Sequence, residues 1–193
     1  MTIALITGAS AGLGEGFARA LAADRHDLIL TARRLDRLET LAADLRAKHN
    51  VAVHVFAADL ADPAAPGRLM TDIAGAGLGV DVLINNAGYG LRGAVAGLDA
   101  DAQLGIIDVN CRALVALARA VLPGMIARKS GGILNIASTA AFQPGPWMAV
   151  YYAPRHSCSA FPKRCTKRRS RTASASRHSA PARRTPNSQA APE

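Results

Sequence analysis

Cysteine is scarce in this chain. Cys111, Cys158 and Cys165 are the only three. They offer neither the even count of a disulfide framework nor the spacing of a metal site. A reducing cytoplasmic setting without a bound metal is therefore expected. No apolar run approaches the roughly 18 residues of a membrane span, so no membrane role is expected. Residues 1–7 are too short, and lack the basic start, for a secretory signal. Aromatic residues make up only 4% of the chain. Acid is nearly absent from one end: residues 154–193 hold ten Lys and Arg but a single acid, Glu193.

That local absence accounts for the whole net charge of +9, because residues 1–153 hold thirteen bases and thirteen acids. The basic end has one aromatic, Phe161, and no sustained apolar period. It cannot bury enough surface to offset the entropy of ordering, so 154–193 is expected to be a disordered low-complexity tail. Its basicity permits contact with nucleic acid or an acidic membrane, but no specific nucleic-acid partner is expected.

Residues 1–153 alternate strand and helix. Ile3–Thr7 reads as a buried strand, followed by helical spacing at Phe17, Ala20 and Leu21. Further strands are expected at Asp27–Thr31, Val51–Ala57, Val80–Ile84 and Gly131–Ala137. Leu35, Leu38, Leu41 and Leu45 mark an amphipathic helix ending near His49–Asn50. Asp62-Pro63 reads as the start of another, with Leu69, Met70 and Ile73 inward. A long helix is expected from about Asp101 to Arg128. This alternation predicts an α/β doubly wound parallel sheet of the Rossmann kind, with helices on both faces.

Thr7-Gly8-Ala9-Ser10-Ala11-Gly12-Leu13-Gly14 joins the first strand to the first helix. Glycines there let the backbone approach a dinucleotide pyrophosphate, and the helix points its positive end at it. The Gly-x-x-x-Gly-x-Gly spacing resembles the short-chain dehydrogenase/reductase family. Asn85-Asn86-Ala87-Gly88 is similar to a second family motif, and Asp59-Leu60 to its adenine-contacting pair. Asn110 matches the family's helix asparagine; Ser138, and Tyr151 thirteen residues later, match its catalytic serine and tyrosine.

The resemblance implies strand order 3-2-1-4-5 and a nicotinamide cofactor. Gly8, Ser10, Gly12, Leu13 and Gly14 would line the phosphates; Asp59, Leu60, Asn86, Ala87 and Gly88 would flank the rest. After the second strand stands Arg33 rather than an acid, which favours NADP over NAD, because a guanidinium matches a 2′-phosphate. The reaction implied is hydride transfer between NADP(H) and a small-molecule carbonyl or alcohol. In it the tyrosine is general acid/base and the serine holds the substrate oxygen. A tyrosine, with an ordinary pKa of about 10, needs a nearby cation to act near neutrality. The family supplies a Lys four residues on and relays protons to it through the helix asparagine.

At the Lys position stands Arg155, which keeps the charge but holds its proton too tightly to relay it. Pro154 is expected to disturb the helix that should carry it. Beyond Ala153 the family pattern stops. Read one base out of step, permitted codons for the tail restore a lysine at that position and, further on, a Pro-Gly loop like the family's. A base deletion near codon 154 is thus compatible with both halves. Strands six and seven and the substrate-capping region are then expected to be missing. So is the helix through which intact members form homo-oligomers. Little turnover is expected, with cofactor binding as the alternative function. Gln143, Pro144, Trp147 and Met148 are candidates for one wall of the substrate pocket.

Overall fold

The computed structural model describes residues 2–154 apart from 139, 141, 143 and 144. Arg155, the tail, Gln143 and Pro144 lie outside the described residues, so the expectations placed on them are not addressed by the fold.

Five strands form one parallel sheet in the order β3-β2-β1-β4-β5. They are β1 (Ile3–Thr7), β2 (Asp27–Ala32), β3 (Val53–Ala57), β4 (Val82–Asn85) and β5 (Gly132–Asn135). Alternation along each strand feeds two cores. Ala4, Ile6, Leu28 and Leu30 face α1 (Gly12–Ala23) and α2 (Leu35–His49), meeting Ala18, Leu38, Leu41 and Leu45. Leu5, Ile29 and Leu83 face the other way, against Leu69 and Ile73 of α3 (Ala65–Gly75) and Leu117, Val121 and Met125 of α5 (Leu114–Arg128). Apolar side chains on both faces of β1 to β4 are covered by helices on both sides, which is the doubly wound arrangement expected, while at the β5 edge Leu134 stays exposed.

Three local expectations are corrected. Helix α3 does not open at Asp62-Pro63. The Asp62 carboxylate accepts the Ala64 N–H at 2.8 Å in a local turn, and it is Pro66 that occupies the helix's first turn. On α1 the buried face is Gly14, Ala18 and Ala22, while Ala20 is exposed. Small residues let this helix lie close on the sheet, and the larger Phe17 and Leu21 pack at its margins. The helix expected from Asp101 is interrupted in register: α4 (Ala100–Ile107) passes through a π-helical turn, Asp108–Ala113, into α5. Residues 149–154 are helical, so Pro154 does not prevent the turn that carries Tyr151.

The chain leaves β1 toward β2 on one side, and β4 lies on the other. Adjacent crossovers diverge there, opening a crevice at the carboxyl ends of the strands.

Candidate active site

A cleft of about 570 Å³ occupies that crevice. The β1–α1 turn contributes Gly8, Ser10 and Leu13, and the end of β2 contributes Arg33 and Arg34. Asp59 and Leu60 follow β3, Asn86, Ala87 and Gly88 follow β4, and Ser138 follows β5. Tyr151 closes the wall. Six separate chain segments thus converge on one space.

The glycines of the first turn do different things. Gly8 (φ +67°) and Gly12 (φ +61°) hold left-handed backbone, which costs other residues strain. Gly14 is needed for closeness: a Cβ there would stand 2.6 Å from Asn86 Nδ2 and closer still to the Gly8 carbonyl. No side chain caps the amino end of α1. Its first N–H groups are therefore available to an anion in the cleft.

Thr7 ties this turn to the loop after β4. Its hydroxyl accepts the N–H groups of Asn86 and Ala87, both at 3.0 Å, and donates to the Ile84 carbonyl at 3.4 Å. Asn86 Nδ2 returns the contact by donating to the Thr7 and Gly8 carbonyls at 2.9 and 3.2 Å. Asn86 therefore braces the cleft floor from beneath. The sequence pattern marks Thr7 as the head of the glycine motif but gives no sign of this brace.

Asn110 does not line the cleft. It is 2% exposed in the π-helical turn, and its side chain spans the Tyr89 backbone: Oδ1 accepts the Tyr89 N–H at 3.2 Å and Nδ2 donates to the Tyr89 carbonyl at 2.9 Å. Tyr89, which sequence reasoning missed, is itself part of the cleft wall. Its hydroxyl donates to the Ala102 carbonyl at 3.2 Å. Burial pushes the Tyr89 phenol above its ordinary range, and Arg33 opposes that shift. An aromatic following Gly88 carried no signal beyond packing.

At the adenosine end, Arg33 is exposed and makes no ion pair among the described residues. Arg34 donates to the Ser10 hydroxyl at 3.2 Å. Asp59 accepts the Ala61 N–H at 3.1 Å, which orients its loop. At the other end, Ser138 Oγ accepts the Ala140 N–H at 3.2 Å.

The two adjacent tyrosines are separated by geometry. Tyr151 lies against Gly90, where a Cβ would be 2.7 Å from its ring, and it faces the cleft. The Tyr152 hydroxyl instead packs on Gly145, and the two rings meet edge-on at 6.2 Å.

The donor set suits a dinucleotide. The left-handed Gly8 and Gly12 turn the backbone at the cleft, the α1 amino end has no side-chain cap, and the Arg33 guanidinium, without an ion pair among the described residues, stands on the same cleft. No helix among the described residues is long and apolar enough to cross a membrane.

Comparison with known proteins points the same way. The family model for short chain dehydrogenases matches residues 2–172, a span that passes the change of composition after Ala153. A very-long-chain 3-oxoacyl-CoA reductase of Pyrenophora tritici-repentis is 39% identical over 78% of this chain and 45% of its own. An NADP-dependent 3-hydroxy acid dehydrogenase of Salmonella typhi is 38% identical over 79% of this chain and 60% of its own. A short-chain dehydrogenase from Sphingobium yanoikuyae, solved in complex with NADPH, superposes with a TM-score of 0.75 at 37% identity, covering 81% of this chain and 60% of that one. The chain spans about half the length of the curated relatives it matches. With its motifs, sheet order and cleft in agreement, the chain belongs to the short-chain dehydrogenase family of oxidoreductases.

Proposed function

We propose that the cleft binds NADP(H) and is built for hydride exchange with a small carbonyl or alcohol. One observation carries this reading: the glycine turn, Arg33 and the Ser138–Tyr151 pair all line a single space. The NADPH-bound and NADP-bound relatives in the same fold support the choice of cofactor.

Gly8, Ser10, Gly12 and Leu13 hold the pyrophosphate against the α1 amino end. Arg33 takes the 2′-phosphate, and Asp59 and Leu60 flank the adenine. Asn86, Ala87 and Gly88, braced by Thr7, carry the wall between the two nucleotide halves. The bound cofactor supplies or accepts the hydride. Ser138 holds the substrate oxygen, and Tyr151 moves the proton on or off it. Asn110 keeps Tyr89, and with it the loop after β4, in place.

A second reading, a nucleotide-binding protein with poor turnover, is favoured by the Arg155 substitution. An arginine supports the charge of a tyrosinate but passes no proton onward. We infer that the chain as it stands binds cofactor and turns over slowly, with residues 1–153 as the binding domain. Calorimetric titration with NADPH, followed by NADPH oxidation against a carbonyl panel, tests both readings. Saturable binding with weak turnover that rises in Arg155→Lys is expected. Absence of binding would sink the proposal, and unchanged turnover in Arg155→Lys would remove Arg155 as the cause.

A further inference from the structure

The sheet ends at β3 on one side and at β5 on the other, and the two edges are finished differently. At β3 it is the Ala52 carbonyl that accepts the Leu28 N–H, so the main-chain groups of Val53 point away from β2. The outward Val53 carbonyl is capped by the Arg46 guanidinium, whose Nε donates at 3.1 Å. At β5 the Gly132 and Ile136 N–H groups donate to the Asp81 and Asn85 carbonyls at 3.0 and 2.9 Å. Pairing alternates along the strand, so the N–H and C=O groups of Ile133 and Asn135 point outward. Among the described residues no main-chain group meets them.

Nothing in the strand guards this edge. Residues 131–137 hold no charge and no proline, the usual devices against edge pairing. Leu134, on the same face of the strand as Ile136, the α1–α2 side, is 45% exposed.

We propose that β5 pairs with β5 of a second copy of this chain, antiparallel about a twofold axis at Leu134. The register is self-complementary. Ile133 of each copy stands opposite Asn135 of the other, and each such pair exchanges main-chain hydrogen bonds in both directions. The two Leu134 side chains meet where the strands approach most closely, and each covers the other. Gly132, where an added Cβ meets nothing within 4 Å, leaves room for Ile136 of the other copy. Residues 155–193 match this edge poorly. They leave from Pro154, whose carbonyl meets Cys111 Sγ at 3.8 Å on the face of the sheet opposite Leu134. They carry ten bases, one acid and four prolines, with no alternating apolar run to lie against Leu134. A pairing of this extent buries less than a standard interface, so association in the micromolar range is expected. It is independent of cofactor binding, and it steadies the strand end that leads into Ser138.

Sedimentation velocity of the full chain across the micromolar range should show reversible association. Leu134→Lys sets like charges opposite each other and should sediment at half the associated mass, with unchanged circular dichroism. Leu134→Cys reads the register directly. In a background of Cys111→Ser, Cys158→Ser and Cys165→Ser, oxidised glutathione should link two chains through position 134, because opposed Cα atoms about 4.5 Å apart suit a disulfide. Leu104→Cys, at an exposed position of α4 in the same background, is the control. Hydrogen exchange at the Ile133 and Asn135 amides should slow as the chain concentration rises. Linkage at position 104 and not at 134 would assign association to a helical face and overturn the inference. Protection of those amides that is equal at every concentration would show that the chain's own tail covers the edge, and would overturn it too. So would fast exchange throughout, or failure of Leu134→Cys to link.

Discussion

Two glycines two residues apart on α1 should respond to the same substitution with opposite signs. Gly16 is exposed, and a Cβ added there meets nothing within 4 Å. Gly16→Ala should therefore show only the helix-propensity gain, about 1 kcal/mol. Gly14→Ala has the same gain, but its Cβ would fall 2.9 Å from the Gly8 carbonyl carbon and 2.6 Å from Asn86 Nδ2. The first neighbour is backbone. The second is held by hydrogen bonds to the Thr7 and Gly8 carbonyls. Neither can swing aside cheaply, so α1 must lift from the turn. Overpacking of this kind costs about 1–3 kcal/mol, and disturbing the Asn86 bonds costs about 1 kcal/mol each. A net loss of about 2 kcal/mol follows for Gly14→Ala, a gap of about 3 kcal/mol between the two variants. Urea unfolding followed by circular dichroism measures that gap, and NADPH titration should show weakened binding for Gly14→Ala alone. Equal stabilisation of both variants would refute the close approach of helix, turn and Asn86 on which the cleft floor depends.

Thr7→Val keeps the branched shape but leaves the Ala87 N–H without its acceptor and the Asn86 N–H with the Ile84 carbonyl alone, so a loss of about 1–2 kcal/mol is expected in the same urea assay. Arg33→Asp should weaken NADP binding by about 1.5–3 kcal/mol, tenfold or more, with little change for NAD; equal losses would end the 2′-phosphate assignment. The Asp62 carboxyl is held below the usual carboxylate range by its bond to Arg68 and then by the Ala64 N–H. A depressed folded value gives stability that is present above the ordinary carboxylate pKa and lost as pH falls below about 4. Asp62→Asn should accordingly flatten the acid limb of a melting-temperature profile, and an unaltered limb would count against the pairing.

Much of this architecture is legible in the residues. Ile3–Thr7 forms β1 as its apolar run indicates, and α2 stops where Asn50 adopts a left-handed φ of 52°. The glycine turn, Asp59, Asn86 and Ser138 are brought to one cleft because they follow strand ends, and strand ends share one edge of a parallel sheet. What stays hidden has physical reasons. The π-helical turn is a change of hydrogen-bond register, and Asp108–Ala113 has no composition that announces it. The buried face of α1 is made of Gly14, Ala18 and Ala22, which large-residue periodicity overlooks because close packing favours the small. The start of α3 shifts because Asp62 satisfies a turn rather than a helix. Tyr89 is invisible as a wall residue until Asn110, twenty-one positions away, is seen to grip its backbone.

The π-helical turn sets a phase. One residue more than an α-helix would need advances the surface beyond it by about 100°. That offset lets Asn110 reach the loop after β4 and Cys111 meet the Pro154 carbonyl at 3.8 Å, while Leu117, Val121 and Met125 downstream still face the sheet. Removing a single residue from Asp108–Ala113 would make the helix more regular and the protein worse. Every position of α5 would rotate by that increment relative to α4, swinging the apolar stripe of α5 off the sheet or Asn110 off the loop. This stretch of helix should therefore accept substitutions far more readily than any change in its length.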